Sequence, residues 1–201
     1  EDNTVWTAAA TNQAGDINIQ TNGKILAGLR TRGQSLILTD QDAHSMTYQG
    51  PPFVYGFERV GTSCGLIAAR AAASVDNGVF WMGKRGFFAY AGGRVQDVPC
   101  EVADYVFSDM NTDQKSKISC TVNSAWNEIW WFYPSENSIE CDRYVAYDFV
   151  ENIWMTGIMD RTAGLDRGVF RFPMFIASDG TLYEHEVGYS YDSASPYAET
   201  G

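Results

Sequence analysis

The chain predicts an all-β fold with one or two short helices. It is arranged as about four repeated antiparallel β-units in the manner of a β-propeller, as a complete ring or as part of a larger one. Three observations lead there. Four short apolar runs, "LILTD" from Leu36, "VFWMG" from Val79, "IWWFYPS" from Ile129 and "MFIASDG" from Met174, start 43, 50 and 45 residues apart. Each run ends in a polar or glycine turn and is followed by a second strand-like segment carrying an aromatic: "AHSMTYQG", "GFFAYAGG", "DRYVAYDF" and "TLYEHEVG". Units of about 40–50 residues made of antiparallel strands have the period of propeller blades.

The third run shows why stacking is needed. Successive strand residues point to opposite faces, so Ile129, Trp131 and Tyr133 face one way and Trp130 and Phe132 the other. Both faces are apolar. A sandwich sheet normally leaves one face wet and shows cleaner alternation. A strand covered on both sides fits between neighbouring blades. The aromatic run therefore reads as packing, not as a flat platform for sugars or bases.

Further segments follow in order. "KILAGLRTR", "AAASVDN" and "KISCTVNSAW" precede three of the runs and read as the first strand of each unit. The N-terminal "NTVWTAAATNQAGDINI" reads as irregular chain plus one strand that completes the last blade of a closed ring. "SCGLIAARAAAS" is rich in helix formers and predicts one or two helical turns near residues 63–70. Val102, Tyr105, Val106 and Met110 form a helical stripe behind Pro99, which predicts a short helix at about 100–110. The propeller-like domain is expected over 1–188. The polar stretch 189–201 reads as a tail or linker to a missing C-terminal part, and a start at Glu1 agrees with a piece of a longer chain.

Composition narrows the function classes. The formal charge is -11, and the longest basic cluster is the pair Lys84–Arg85. Binding nucleic acid through phosphates needs basic patches, so sequence-specific or tight binding is not expected. No apolar run is long enough for a membrane-spanning helix. Cys64, Cys100, Cys120 and Cys141 lie 36, 20 and 21 residues apart, without a C-x-x-C pair, so they predict reduced thiols and no zinc.

Catalytic and cofactor chemistry finds no motif. His44 and His185 follow apolar strands in equivalent places of units one and four, as polar strand residues near turns. On a common rim they would be neighbours. Carboxylate pairs such as Asp40 with Asp42, Glu184 with Glu186 and Asp160 with Asp166 are available for glycoside chemistry, but Asp40 and Asp179 stand where turns want Asp. "GKRGFF" leads into a strand rather than a helix, so it is not a phosphate loop and reads as a β-turn with Lys84–Arg85 at its tip. No catalytic residue, cofactor or metal site is assigned. Lys84, Arg85, Asn137 and Asp142 are the expected exposed interface loops.

The ordered succession "NQAGDINI", "LILTDQDAHSMTYQG", "GVFWMGKRGFFAYAGG", "NEIWWFYPS", "DRYVAYDFVENIW" and "DGTLYEHEVG" resembles structural proteins of tailed bacteriophages. The group is the tail hub, nozzle or packaged-DNA-stabilising proteins of short-tailed phages. The resemblance spans about residues 6 to 188. It implies a propeller-like domain and a virion structural protein without enzymatic activity, assembled in the host cytoplasm into the tail. Its partners would be copies of itself and other tail or portal-adapter proteins, in an oligomeric ring or nozzle through which DNA is retained and ejected. The residues alone leave two other classes open: a carbohydrate-binding or glycan-hydrolysing propeller, and a propeller scaffold for protein partners.

Overall fold

The computed structural model describes residues 4–9, 12–76 and 78–188. Four antiparallel sheets follow one another along the chain, each a simple meander. The first holds β1 (Ile25–Thr31), β2 (Gln34–Thr39), β3 (Asp42–Gly50) and β4 (Val54–Thr62). The second holds β5 (Ala72–Val75), β6 (Gly78–Met82), β7 (Phe87–Ala91) and β8 (Arg94–Val98). The third holds β9 (Ser119–Asn123), β10 (Glu128–Tyr133), β11 (Arg143–Asp148) and β12 (Ile153–Ile158). The fourth has three strands, β13 (Ala163–Leu165), β14 (Met174–Ile176) and β15 (Leu182–Glu184). The first strands pack in a row, β1 on β5, β5 on β9 and β9 on β13. That is the arrangement of inner strands around a propeller axis. Among the described residues β13 does not return to pack on β1 in the same way, so the row is open.

All four apolar runs are central strands of their sheets. The third divides its faces as the pleat requires: Ile129, Trp131 and Tyr133 join one large core, and Phe132 with half-buried Trp130 joins a second, smaller one. The large core is continuous across the first three sheets, through Leu36 and Leu38, Val79 and Trp81, then Ile129 and Trp131. The smaller one, with Phe175, joins the third sheet to the fourth. Between the second and third sheets Phe87 lies 5.0 Å from Trp131 and 4.6 Å from Trp154, ring centre to ring centre.

Turn chemistry explains the hairpins. Gly92 and Gly93, with φ of 61° and 84°, form the two-residue connection between Ala91 and its cross-strand partner Arg94. Both positions need left-handed backbone, the reason for Gly-Gly. In the "SDGT" turn, Asp179 Oδ1 accepts the Thr181 amide (2.8 Å).

The helix expected at about 100–110 is α1 (Ala103–Asp109), with Val106 fully buried beneath it. Two expectations are corrected. Residues 63–71 are not helical, because their backbone pairs with the sheets on either side. Leu66 N donates to Thr39 O, Ile67 N to Met82 O, and Met82 N to Ala71 O. Here tertiary pairing overrides helix propensity. Gly65 permits the approach, since a Cβ there would lie 2.2 Å from Asp40 O. The N-terminal segment contributes no strand among its described residues. Its end, Ile17–Ile19, lies beside His44, Phe57 and Arg59 of the first sheet, and the chain that follows stays there, with Thr21 Oγ1 donating to Asp42 Oδ1 (2.8 Å) and Lys24 N to Asp40 Oδ1 (2.7 Å). The tail at 189–201 lies outside the described residues.

Trp131 is 1% exposed and its Nε1 donates to Ala71 O at 3.0 Å. Trp131→Ala is expected to cost about 3–5 kcal/mol. The measurement is urea denaturation, read as a lower midpoint at unchanged slope.

Candidate functional site

The four residues expected at interface loops are placed differently from one another. Lys84 and Arg85 are exposed at the tip of the Gly83–Gly86 loop, closed by Gly83 N donating to Gly86 O (2.8 Å). They border a cleft of about 580 Å³ with Asp40, Gln41, Phe88 and Asp97. Asn137 is exposed in the loop after β10. Asp142 is half-buried at the base of that loop. Its carboxylate accepts Ser135 N (2.7 Å) and Ser135 Oγ (2.8 Å) and pairs with Arg143 Nη1 at 3.0 Å. Asp142 holds the loop's shape, while Asn137 is presented by it.

The histidines have separate environments. His44 is buried on β3, with Nε2 3.2 Å from Asp42 Oδ1 but not aligned as a hydrogen bond. Asp42 is itself buried beneath hydroxyls. Burial raises its carboxyl, but the hydrogen bonds from Thr39 and Thr21 and the nearby His44 outweigh this and leave it below the usual carboxylate range. His185 Nε2 accepts a hydrogen bond from Arg161 Nε at 3.0 Å, and the ring packs 4.3 Å from Phe175. Burial, then the Arg161 charge, push His185 down to about 4.

Most carboxylates with described partners serve turns and crossings. Asp160 accepts Ser178 N and Oγ, Asp166 accepts Ser124 N and Arg167 N, and Asp148 accepts Val150 N and Glu151 N. One polar cluster joins distant segments. Asn123 Nδ2 donates to both Glu128 Oε2 and Glu186 Oε1 (each 3.2 Å), and the indoles of Trp130 and Trp126 donate to Glu128 and Glu186 (2.8 and 3.1 Å). Burial, offset in part by the Trp130 bond, leaves Glu128 above its ordinary value. Among the described residues no group of three acidic, His or Cys side chains is placed to hold a metal. All four cysteines are free, and burial pushes Cys64 and Cys100 up to about 11 and Cys141 to about 12. Thiols held so far above neutral pH are poor nucleophiles.

Sequence reasoning missed an exposed aromatic arm. β3 and β4 outrun the sheet: β2 pairs with β3 only as far as Met46, while β3–β4 pairing continues through Thr47, Tyr48 and Gly50. The overhang is a two-stranded arm. Phe53 at its tip is 79% exposed, and Tyr48 and Tyr55 meet edge to face at 5.6 Å. The available signal was the charge-free stretch Ser45–Phe57, which contains Pro51–Pro52.

No family model matches the chain, and no curated protein matches it. Among solved structures it is similar to the WD40 domain of Pan2 from Neurospora crassa, with 13% identity and a TM-score of 0.47 over 77% of this chain and 44% of that one. It is also similar to PorZ, a surface component of the type-IX secretion system of Porphyromonas gingivalis (9%, TM-score 0.40, 80% and 26% covered). A third is a plant lectin with two metal binding sites from Cicer arietinum (11%, TM-score 0.37, 89% and 92% covered). The chain therefore spans less than half of the Pan2 domain it matches. The propeller-like architecture is visible in this chain's own stacked meanders and its row of first strands.

The depressed His185 gives a pH prediction. Between about 6.5 and about 4 the unfolded chain binds a proton that the folded chain refuses, so stability falls as pH is lowered through that window. Above it neither state is protonated there and the effect vanishes. His185→Gln, which keeps an acceptor for Arg161, is expected to flatten the slope of urea midpoint against pH between 6.5 and 4. Any loss of stability from Asp42 comes lower, below its ordinary 3.8.

Proposed function

We propose that this chain is a structural protein of a short-tailed phage virion. It forms part of an oligomeric ring or nozzle in the tail, through which DNA is retained and then ejected. The observation that supports the reading is the coincidence of motif and sheet. Of the six motifs whose order resembles the tail proteins, five supply strands of the four sheets in chain order: "LILTDQDAHSMTYQG" gives central β2–β3, "GVFWMGKRGFFAYAGG" central β6–β7, "NEIWWFYPS" and "DRYVAYDFVENIW" central β10–β11, and "DGTLYEHEVG" the edge strand β15. On this reading the protein is not an enzyme. Its work is mechanical, and its partners are its own copies and neighbouring tail or portal-adapter proteins. A formal charge of -11 suits a wall past which a polyanion must move without sticking.

The test is electron microscopy of the full-length protein, with mass spectrometry of purified virions. Ring-shaped homo-oligomers and a virion-borne protein are expected. A strictly monomeric full-length protein, absent from particles, would overturn the proposal.

A second reading, glycan binding, is favoured by one observation. Trp126 is 58% exposed beside the Glu128–Asn123–Glu186 cluster. It predicts glycan-array binding that Trp126→Ala abolishes without loss of stability. Absence of binding to any arrayed glycan would remove it.

A further inference from the structure

We infer that the β3–β4 arm is an assembly arm, seated in the ring on the outer face of the fourth sheet of a second copy of this chain. The inference rests on the ring-forming reading above and names the contact that would build the ring.

The arm carries the right chemistry for such a contact. A chain of formal charge -11 repels its own copies, so a contact between copies is favoured where charge is absent. Ser45–Phe57 has no charged side chain, and its Thr47–Gly56 part is the arm that stands beyond the sheet. Two strands alone are marginal in water. This ribbon nevertheless presents Tyr48 (58% exposed), Phe53 (79%) and Tyr55 (48%) to solvent. Aromatic side chains of this kind anchor interfaces when a partner desolvates them.

The receiving face follows from strand register. Leu165 pairs with Met174 and Met174 with Glu184, while Ala163 pairs with Ile176 and Ile176 with Leu182. Cross-strand partners share a face, so these residues lie together, opposite Phe175 and Tyr183, which occupy the other face. Phe175 is buried in the core shared with the third sheet. Leu165 and Leu182 are 58% and 61% exposed, and no further sheet covers them among the described residues. The face is aliphatic, with one carboxylate at its edge. Arm and face sit on different sheets of the chain, so the contact is heterologous. Repeated head to tail, such a contact closes into a ring or runs on as a filament.

The test uses the full-length chain, with ring content read by electron microscopy and light scattering. Phe53→Asp and Leu182→Asp, both at exposed positions, are each expected to abolish the ring while leaving the circular dichroism spectrum and Tm unchanged. Phe53→Cys with Leu182→Cys is expected to give an intermolecular disulfide under oxidation that neither single variant nor the parent gives. Rings that persist in both Asp variants, or no cross-link in the double Cys variant, overturn the inference while leaving the ring itself standing. Loss of binding to phosphatidylcholine vesicles in Phe53→Asp, with rings intact, would assign the arm to a lipid surface and overturn it also. A wild-type chain that forms no ring removes the ring reading first.

Discussion

Two indole hydrogen bonds fix the connection on which the sheet packing depends. Trp81 Nε1 donates to Cys64 O at 2.7 Å, and Trp131 Nε1 donates to Ala71 O at 3.0 Å. One tryptophan belongs to the central strand of the second sheet and the other to that of the third. Both hold the buried connector that leads from the first sheet to the second. Cys64, Leu66, Ile67, Ala68 and Ala71 of that connector are all buried. Carbonyls taken out of water need donors, and the indoles supply two of them while filling the core with ring area. The connector thereby becomes a pin through three sheets rather than a surface loop.

The fourth sheet is held by different means. Its strands are three residues long and its shared core is the small cluster around Phe132, Cys141 and Phe175. On the third-sheet side, the Ser119, Thr121 and Asn123 side chains are buried, and each leaves an oxygen without a hydrogen-bond partner among the described residues. Sites of this kind ordinarily take up ordered water. The first three sheets are therefore joined by a dry aromatic core, and the fourth by a smaller, more polar contact.

The central strands of the first three sheets were legible in the sequence because cover on both faces leaves an unbroken apolar run, and β14 shows a shorter apolar run with one face open. The fourth strands were not, since β4 and β8 carry exposed Glu58, Arg59, Arg94 and Asp97 and lack such a run. The connector misled because "AARAAA" has strong helix propensity, while the pairing that overrides it comes from residues 39 and 82, far away in sequence. Of the candidate contact residues, Lys84, Arg85 and Asn137 are exposed as turn chemistry suggested. Asp142 is drawn inward by Ser135, a partner seven residues earlier across the loop. The Asn123–Glu128–Glu186 cluster was out of reach, because its members are brought together only when the last turn meets the third sheet.

The meander topology has a kinetic side. Among the described residues, every strand pairs only with strands next to it in the chain. Each sheet can close from its own contiguous segment, without waiting for a distant partner, and the loop-closure entropy opposing each step is small. A nascent chain emerging N-terminus first would complete the first sheet before the second is made. Each finished sheet then offers an apolar face as the template on which the next one docks. Order of synthesis and order of assembly coincide for these four sheets.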